Sequence, residues 1–313
     1  MKISSLNMNI LWAFAGVLCL LILSTIIVFI LNRVKAGSDF TSLNLRIRSW
    51  WIMAAVFAIA MMLNRVISIC FFAFISFLAL KEYLSLIPTR KADRRVLFWA
   101  YLSIPLQYYW IGIEWYGMFI IFIPLYMFLL LPINMVIVGE TTGFLHAAGT
   151  LHWGLMTTVF SLSHAAFLLV LPVGRNPNGG GAGLLLFLAF LTQLNDVSQY
   201  LWGKLFGRHK VIPRVSPNKT WEGLVGGVST SIILAGLIGP WLTPFDMRDS
   251  LLIGAIIGLA GFFGDVTISS LKRDLDIKDS GNMIPGHGGI LDRVDSLTYT
   301  APLFFHFTYY FYY

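Results

Sequence analysis

The stretch ILWAFAGVLCLLILSTIIVFIL, residues 10–31, holds 22 consecutive residues without a charge. A helix that crosses a bilayer needs about 20 such residues, so this stretch is long enough to span a membrane. It exceeds the apolar core of a secretory signal, lacks a small-residue cleavage site and is followed by Arg33 and Lys35, so we expect it to remain as an anchor. Comparable apolar runs predict ten spans, near residues 10–31, 50–63, 67–85, 97–111, 117–137, 151–173, 181–199, 223–243, 251–270 and 296–312.

The composition supports the same class of protein. Of the 313 residues, 57% are hydrophobic and only 12% are charged, whereas a soluble domain is nearer half apolar and a quarter charged. The net charge of +7 comes without a basic run interleaved with aromatic residues, so nucleic acid is not an expected partner. We therefore predict an all-α polytopic integral membrane protein, in which the bilayer itself is a partner.

The basic residues are distributed unevenly between the loops. Seventeen of the 22 Lys and Arg residues lie in segments 32–49, 86–96, 200–222 and 271–295, which alternate with loops that are poor in them. Because cytoplasmic loops carry the excess of Lys and Arg, this pattern places the four segments in the cytoplasm and both termini outside. We expect a multi-pass protein of the cell inner membrane.

The stretch SSLKRDLDIKDSGNMIPGHGGILDRVDS, residues 269–296, is unusually charged for this chain, because nine of its 28 residues are Lys, Arg or Asp. Asp265 precedes it near the end of one span, and Asp196 lies near the end of another. Helical spacing places Asp265, Ser269 and Lys272 on one face of a helix. One interpretation is structural, with Asp265 and Lys272 as a buried ion pair and an interfacial helix cap at residues 292–293.

The alternative interpretation is a site for a metal ion between phosphates. Hard divalent cations bind carboxylate oxygens, and Mg²⁺ is typically held by one or two carboxylates together with substrate phosphates. In IPGHGGILDRVD, residues 284–295, Pro285 and Gly286 interrupt the helix, and Gly288 and Gly289 let the backbone approach a ligand. Backbone amides at the start of the following helix would favour an anion.

A second basic loop, GKLFGRHKVIPRVSPNKTWEG at residues 203–223, precedes another predicted span. Ser216 opens a Ser-Pro-Asn turn, and Ser216 or Lys219 could bind phosphate. The loop is equally compatible with a purely topological role combined with a helix cap.

These segments resemble the signature of the CDP-diacylglycerol synthase (phosphatidate cytidylyltransferase) family. The C-terminal stretch is similar to it at a dozen positions, and SPNKTWEG and the segment from Asn195-Asp196 onward resemble two further blocks, so that the resemblance covers about residues 190–313. The chain departs from the family after Asp196, where Val197-Ser198-Gln199 replaces Thr or Ser followed by small residues. This departure leaves the substrate preference open and is compatible with a divergent paralogue.

The resemblance implies that CTP reacts with phosphatidate to give CDP-diacylglycerol and pyrophosphate in phospholipid biosynthesis. It implies a region of membrane helices at 1–190, a catalytic region at 191–313 with its site at the cytoplasmic helix ends, Mg²⁺ as cofactor and a homodimer. In this interpretation Asp265 and Asp292 are the principal metal ligands, with Asp196 and Asp295 as secondary ones. The residues expected to contact substrate are Ser216, Lys219, Lys272, Arg273, Lys278, Gly288, Gly289 and Arg293, with His287 binding CTP or acting as an acid.

Three alternatives remain open at this point. The first is a CTP-dependent transferase or kinase that acts on another lipid, such as an isoprenoid-type phosphate or alcohol. The second is a catalytically silent paralogue. The third, an ion-coupled transporter, is less favoured because its acidic residues would lie near the middle of the bilayer, between related halves.

Overall fold

The computed structural model describes residues 7–34, 40–90, 93–286 and 288–313, and the regular structure in these ranges is helical. The helices are α1 (Met8–Val34), α2 (Thr41–Leu63), α3 (Arg65–Leu86), α4 (Arg94–Gly112), α5 (Tyr116–Ile121), α6 (Phe128–Val138), α7 (Phe144–Leu155), α8 (Ser161–Phe167), α9 (Gly180–Phe206), α10 (Trp221–Leu242), α11 (Met247–Asp274), α12 (Leu291–Val294) and α13 (Leu297–Tyr312).

All ten predicted spans coincide with helical segments. Eight of these segments, within the described ranges, are long and apolar enough to cross a membrane. The other two are α4, with 19 residues, and α13, whose 16 residues fall short of the usual span length. The all-α polytopic membrane fold is therefore confirmed, and the orientation of the termini stays a prediction.

Two of the spans are built from more than one helix. A π-helical segment, Phe122–Met127, joins α5 to α6, and a second one, Met156–Phe160, joins α7 to α8. The first segment contains Pro124, which has no backbone N–H to donate within the helix. Such interruptions are tolerated in membrane helices where neighbouring groups satisfy the backbone.

A single residue, Asn64, joins α2 to α3 directly. Asn64 ends α2 and caps α3, since its Oδ1 atom accepts a hydrogen bond from the Ile67 amide at 2.8 Å. The second predicted span, residues 50–63, is only the C-terminal part of its helix, because α2 begins at Thr41 and continues through Arg46 and Arg48. The helix therefore extends into the basic segment that precedes the apolar run.

Contacts that involve loops and helix ends define the two ends of the bundle. At one end, Ser49 donates to the Pro285 carbonyl at 2.6 Å and Arg273 donates to the Val215 carbonyl at 3.2 Å. At the other end, Asn9 donates to the Trp241 carbonyl at 2.9 Å. We call the first the basic end, defined by loops 207–220 and 275–290 and the beginning of α2. The basic loops thus meet on one side, as the alternation of charge requires.

Close helix packing in the C-terminal half fixes the position of the site. A Cβ atom on Gly254 of α11 would lie 2.8 Å from the Ser231 carbonyl oxygen of α10. A Cβ atom on Gly264 would lie 2.6 Å from the Asp295 carbonyl oxygen. Small residues let helix backbones approach in membrane proteins. Gly254 therefore brings α10 against α11, and Gly264, next to Asp265, brings the residues just before α13 against α11.

Candidate active site

Three carboxylates meet where α9, α11 and α13 come together towards the basic end. Asp196 of α9, Asp265 of α11 and Asp295 before α13 are close enough to repel one another electrostatically. Ser296 holds two of them, since its hydroxyl donates to Asp196 Oδ1 at 3.0 Å and its amide donates to Asp295 Oδ1 at 2.7 Å. We call these three residues the carboxylate cluster.

Lys219 balances the charge of the carboxylate cluster. Its Nζ atom lies 2.6 Å from Asp265 Oδ2 and donates to Gln199 Oε1 at 3.0 Å. Burial lowers the pKa of Lys219, but the carboxylates of Asp265 and Asp196 outweigh burial, so the pKa is raised above its ordinary value. Lys219 is therefore a cation at neutral pH, which is the state that binds phosphate.

Local backbone contacts explain why Lys219 occupies this position. The amide of Val211 donates to the Lys219 carbonyl at 3.1 Å, and the amide of Lys219 donates to the Ser216 carbonyl at 3.2 Å, which closes the predicted turn. Thr220 then caps α10 by accepting from the Gly223 amide at 3.1 Å. The loop is thus folded back on itself just before the helix, with Lys219 at the junction.

A second ionic cluster lies further along α11. Lys272 Nζ is 2.7 Å from Asp292 Oδ1, and both side chains are largely buried, at 11% and 4% exposed. The other oxygen, Asp292 Oδ2, accepts from the amides of Ser280 and Gly289 at 2.8 and 3.0 Å. Burial raises the pKa of Asp292, but the bond to Lys272 and these amides outweigh it, so the pKa is lowered. We call Lys272, Ser280 and Asp292 the loop cluster.

Glu82 of α3 supports the same loop from the N-terminal half of the chain. Its carboxylate accepts from the amides of Ile290 and Leu291 at 2.9 and 3.0 Å, and from the hydroxyl of Ser280. Amides at this helix start are expected to favour an anion, and the group that they bind here is a carboxylate of the protein itself. The backbone around Gly289 is therefore already fixed by carboxylates.

The two clusters share α11 but lie about two turns apart. Asp265 and Lys272 are seven residues apart, which corresponds to about 10 Å along the helix axis. Ser269 lies between them and donates to Asp265 Oδ1 at 3.1 Å, in agreement with the predicted shared face. The ion pair proposed between Asp265 and Lys272 does not form. Each residue is instead paired across a loop, with Lys219 and Asp292 respectively.

The remaining predicted site residues occupy the same end of the bundle. Arg273 bridges the two loops through the Val215 and Ile277 carbonyls. Arg293 interacts with Asp196 and Asp295 electrostatically, and its buried Nε atom has no hydrogen-bond partner in the described ranges. Lys278 is exposed, and Gly288 adopts a φ of +82°, which favours glycine. His287 lies outside the described residues, and the roles assigned to all these residues stay predictions.

The arrangement of the acidic residues bears on how the expected metal ion could bind. In the part of the chain that the structure describes, no group of three His, Cys, Asp or Glu residues is arranged to hold a metal ion. Mg²⁺ does not require such a group when substrate phosphates supply the other ligands. The mutually repelling carboxylates of Asp196, Asp265 and Asp295 suit a divalent cation chemically, so the residues fit a metal that binds together with substrate.

Three polar residues that organise the site, Gln199, Glu82 and Ser280, are not among the site residues that the sequence predicts. Gln199 was noted only as a departure from the family, yet it is 4% exposed and bonded to Lys219. A signal for Gln199 and Glu82 existed, because both are polar residues in largely apolar helices, where such residues mark functional contacts. Ser280 carried no comparable signal.

The fold and the two clusters define a multi-pass helical membrane protein with a site of paired acidic and basic residues at one end of its bundle. A sequence model of the cytidylyltransferase family matches residues 44–311. The chain therefore belongs to this family, whose members are nucleotidyltransferases, and the resemblance drawn from its motifs is confirmed.

Individual relatives give a more detailed comparison. The chain is 50% identical over 296 residues to the uncharacterized protein YnbB of Escherichia coli (strain K12), covering 94% of this chain and 96% of that protein. It is 42% identical over 125 residues to a phosphatidate cytidylyltransferase of Staphylococcus aureus (strain COL), covering 39% of this chain and 48% of the relative. The corresponding enzyme of Synechocystis sp. (strain ATCC 27184 / PCC 6803 / Kazusa) is 46% identical over 114 residues, covering 36% and 38%. The chain thus spans about half or less of these two phosphatidate cytidylyltransferases.

Proposed function

We propose that the protein transfers a cytidylyl group from CTP to phosphatidate, giving CDP-diacylglycerol and pyrophosphate. The observation that carries the proposal is the Lys219–Asp265 contact of 2.6 Å within the carboxylate cluster, at the basic end of a membrane bundle. Family membership and the partial relatives named phosphatidate cytidylyltransferase support the same reaction.

In this reaction an oxygen of the lipid phosphate forms a bond to the α-phosphorus of CTP, and the bond to the β-phosphate breaks. Two polyanions must approach each other, so catalysis depends mainly on positioning and charge neutralisation. Lys219, Lys272, Arg273 and Arg293 would bind the phosphate oxygens, with Lys278 at the exposed edge. Ser216, Gly288, Gly289 and His287 are proposed as further substrate contacts.

Mg²⁺ is the proposed cofactor, and when bound it would neutralise phosphate charge. Asp265 would hold it within the carboxylate cluster, with Asp196 and Asp295 as further carboxylates, and Asp292 would bind it from the loop cluster once substrate draws the two clusters together. Asp292 Oδ1 is bonded to Lys272 in this structure. A substrate phosphate that attracts Lys272 would free that oxygen, so substrate and metal would bind together. We also propose that the basic end faces the cytoplasm from the inner membrane, and that the chain forms a homodimer.

A second candidate is cytidylyl transfer to another lipid phosphate, or phosphorylation of a lipid alcohol by CTP. It is favoured by Gln199, which lies beside Lys219 at the position where the family has small residues. The experiment incubates the purified protein with Mg²⁺, CTP labelled in the cytosine, and either phosphatidate or an isoprenoid phosphate or alcohol. A labelled CDP-lipid with release of pyrophosphate supports transfer, whereas release of CDP indicates a kinase. Turnover of none of these lipids would contradict both candidates.

A further inference from the structure

One polar atom of the Gln199 side-chain amide is hydrogen-bonded, and the other has no hydrogen-bond partner among the described residues. The residue lies on α9, three positions after Asp196, and its side chain is 4% exposed. Its Oε1 atom accepts from Lys219 Nζ at 3.0 Å. Its Nε2 atom is buried and has no acceptor among the residues that the structure describes. An unpaired buried donor is destabilising, so this N–H group is suited to an acceptor that the described chain does not provide.

The surroundings of Gln199 indicate which acceptor would fit. A Cβ atom on Gly227 of α10 would lie 2.3 Å from Gln199 Cγ, so this glycine makes room for the longer side chain between α9 and α10. Lys219 borders the same place, and its side chain is largely buried, at 18% exposed. An ammonium ion beside an amide donor is suited to an anionic oxygen, and phosphate oxygens bind such donors strongly.

We propose that Gln199 donates a hydrogen bond from Nε2 to a phosphate oxygen of a substrate that Lys219 also binds, and that it thereby determines substrate preference. This inference rests on the proposed function, since it assigns a substrate contact within that site. A small residue at position 199 would offer neither the acceptor for Lys219 nor the additional donor. Gln199 thus gives this chain a polar contact that family members with a small residue lack.

The phosphate could belong to the lipid or to CTP, and separate binding measurements distinguish the two. Labelled CTP with Mg²⁺, and labelled phosphatidate in detergent micelles, are each bound to the purified full chain at equilibrium. The variants are Gln199→Met, which removes both polar atoms, and Gln199→Glu, which keeps an acceptor for Lys219 and removes the donor. Gln193→Met, on the same helix, is the matched control.

We expect both Gln199 variants to weaken binding of one of the two ligands about tenfold, because a hydrogen bond to a charged group is lost. The ligand affected identifies the source of the phosphate. The other ligand and the melting temperature should change little, and the Gln193 control should behave as the unmodified protein.

A purely structural role, in which Gln199 only orients Lys219, gives a different result. Gln199→Glu would then weaken binding of both ligands alike, because its added carboxylate repels phosphate and neutralises Lys219, and Gln199→Met would have no further effect in a Lys219→Met background. We expect the additional loss of about tenfold to persist in that background. Either of the two results expected for a structural role would overturn this inference and leave the proposed function unaffected. An unmodified protein that binds neither ligand would overturn the proposed function and this inference with it.

Discussion

Gly289 lies so close to Glu82 that a Cβ atom at this position would be 2.0 Å from the Glu82 Oε1 atom. The carboxylate cannot move away easily, because the amides of Ile290 and Leu291 and the hydroxyl of Ser280 bind it. The glycine is therefore required by a contact between the two halves of the chain. A loop that contributes half of the proposed site is shaped by a residue about 200 positions earlier in the sequence.

The first prediction is that Gly289→Ala disturbs this loop. The added methyl group must displace the Glu82 carboxylate or the loop backbone, and either shift moves Asp292, whose Oδ2 atom accepts from the Gly289 amide. We expect cytidylyl transfer to fall at least tenfold. Gly174→Ala is the control, because nothing lies within 4 Å of a Cβ atom there. Equal activity in the two variants would contradict the packing described for Gly289.

The second prediction concerns the charge of Glu82. In Glu82→Gln the side chain keeps its length, but an NH₂ group must replace one of two oxygens that face backbone N–H groups. We expect the free energy of unfolding to fall by about 1–3 kcal/mol, the usual effect of leaving buried hydrogen-bonding groups unsatisfied. Thermal melting in detergent measures this change. The control is Glu114→Gln, since Glu114 is 53% exposed in its ion pair with Arg65 and such surface pairs contribute little.

The third prediction concerns membrane topology, which the distribution of Lys and Arg determines. Reporter fusions at Arg94, Arg208 and Asp279 should report the cytoplasm. Fusions at Asn178 and after Tyr313 should report the opposite side. A cytoplasmic signal from the C-terminal fusion would exclude the ten-span arrangement, and α13, with only 16 residues, is the helix to which that result would point.

The helices could be predicted from the sequence because apolar length and loop charge are signals that follow the chain position by position. The ion-pair partners of the charged residues could not be predicted in this way. Helical spacing makes Asp265 one candidate partner of Lys272, because seven residues separate them on one helix face. The structure pairs Lys272 with Asp292, 20 positions away across a loop. Which of two carboxylates a lysine reaches depends on how the loop folds back, and helical periodicity contains no information on that.

The contact of Glu82 with the loop could not be predicted from the sequence for the same reason. Ser280 and Glu82 are separated by 198 positions, so only the assembled bundle brings them together. The carboxylate cluster was more accessible to prediction. Asp196, Asp265 and Asp295 each lie at the same end of a predicted span, and three helix ends on one side of a membrane can converge.

The last prediction distinguishes the contributions of Asp265 and Asp292 to stability. The sequence predicts both as principal metal ligands. Asp292 is the buried partner of Lys272, so Asp292→Asn leaves a buried ammonium group without its counter-charge. We expect the free energy of unfolding to fall by about 3–5 kcal/mol, the usual cost of breaking a buried ion pair. Asp265→Asn instead relieves the repulsion between Asp265 and the carboxylates of Asp196 and Asp295. Lys219 still has those two carboxylates as neighbouring counter-charges. Its stability should change little.

Both variants should nevertheless lose cytidylyl transfer, since each removes a carboxylate proposed to bind Mg²⁺. Loss of a supporting residue of a metal ligand typically costs about 10–100-fold, so loss of a ligand itself should cost at least as much. Melting and activity are measured together, with Mg²⁺ and after its removal by a chelator. Chelation should abolish the activity of the unmodified protein. In the double variant Lys272→Met/Asp292→Asn, melting should recover because the unpaired charge is gone, while activity stays lost because a proposed metal ligand and a proposed phosphate-binding residue are both missing. An Asp265→Asn protein that melts normally and keeps full activity would exclude Asp265 as a metal ligand.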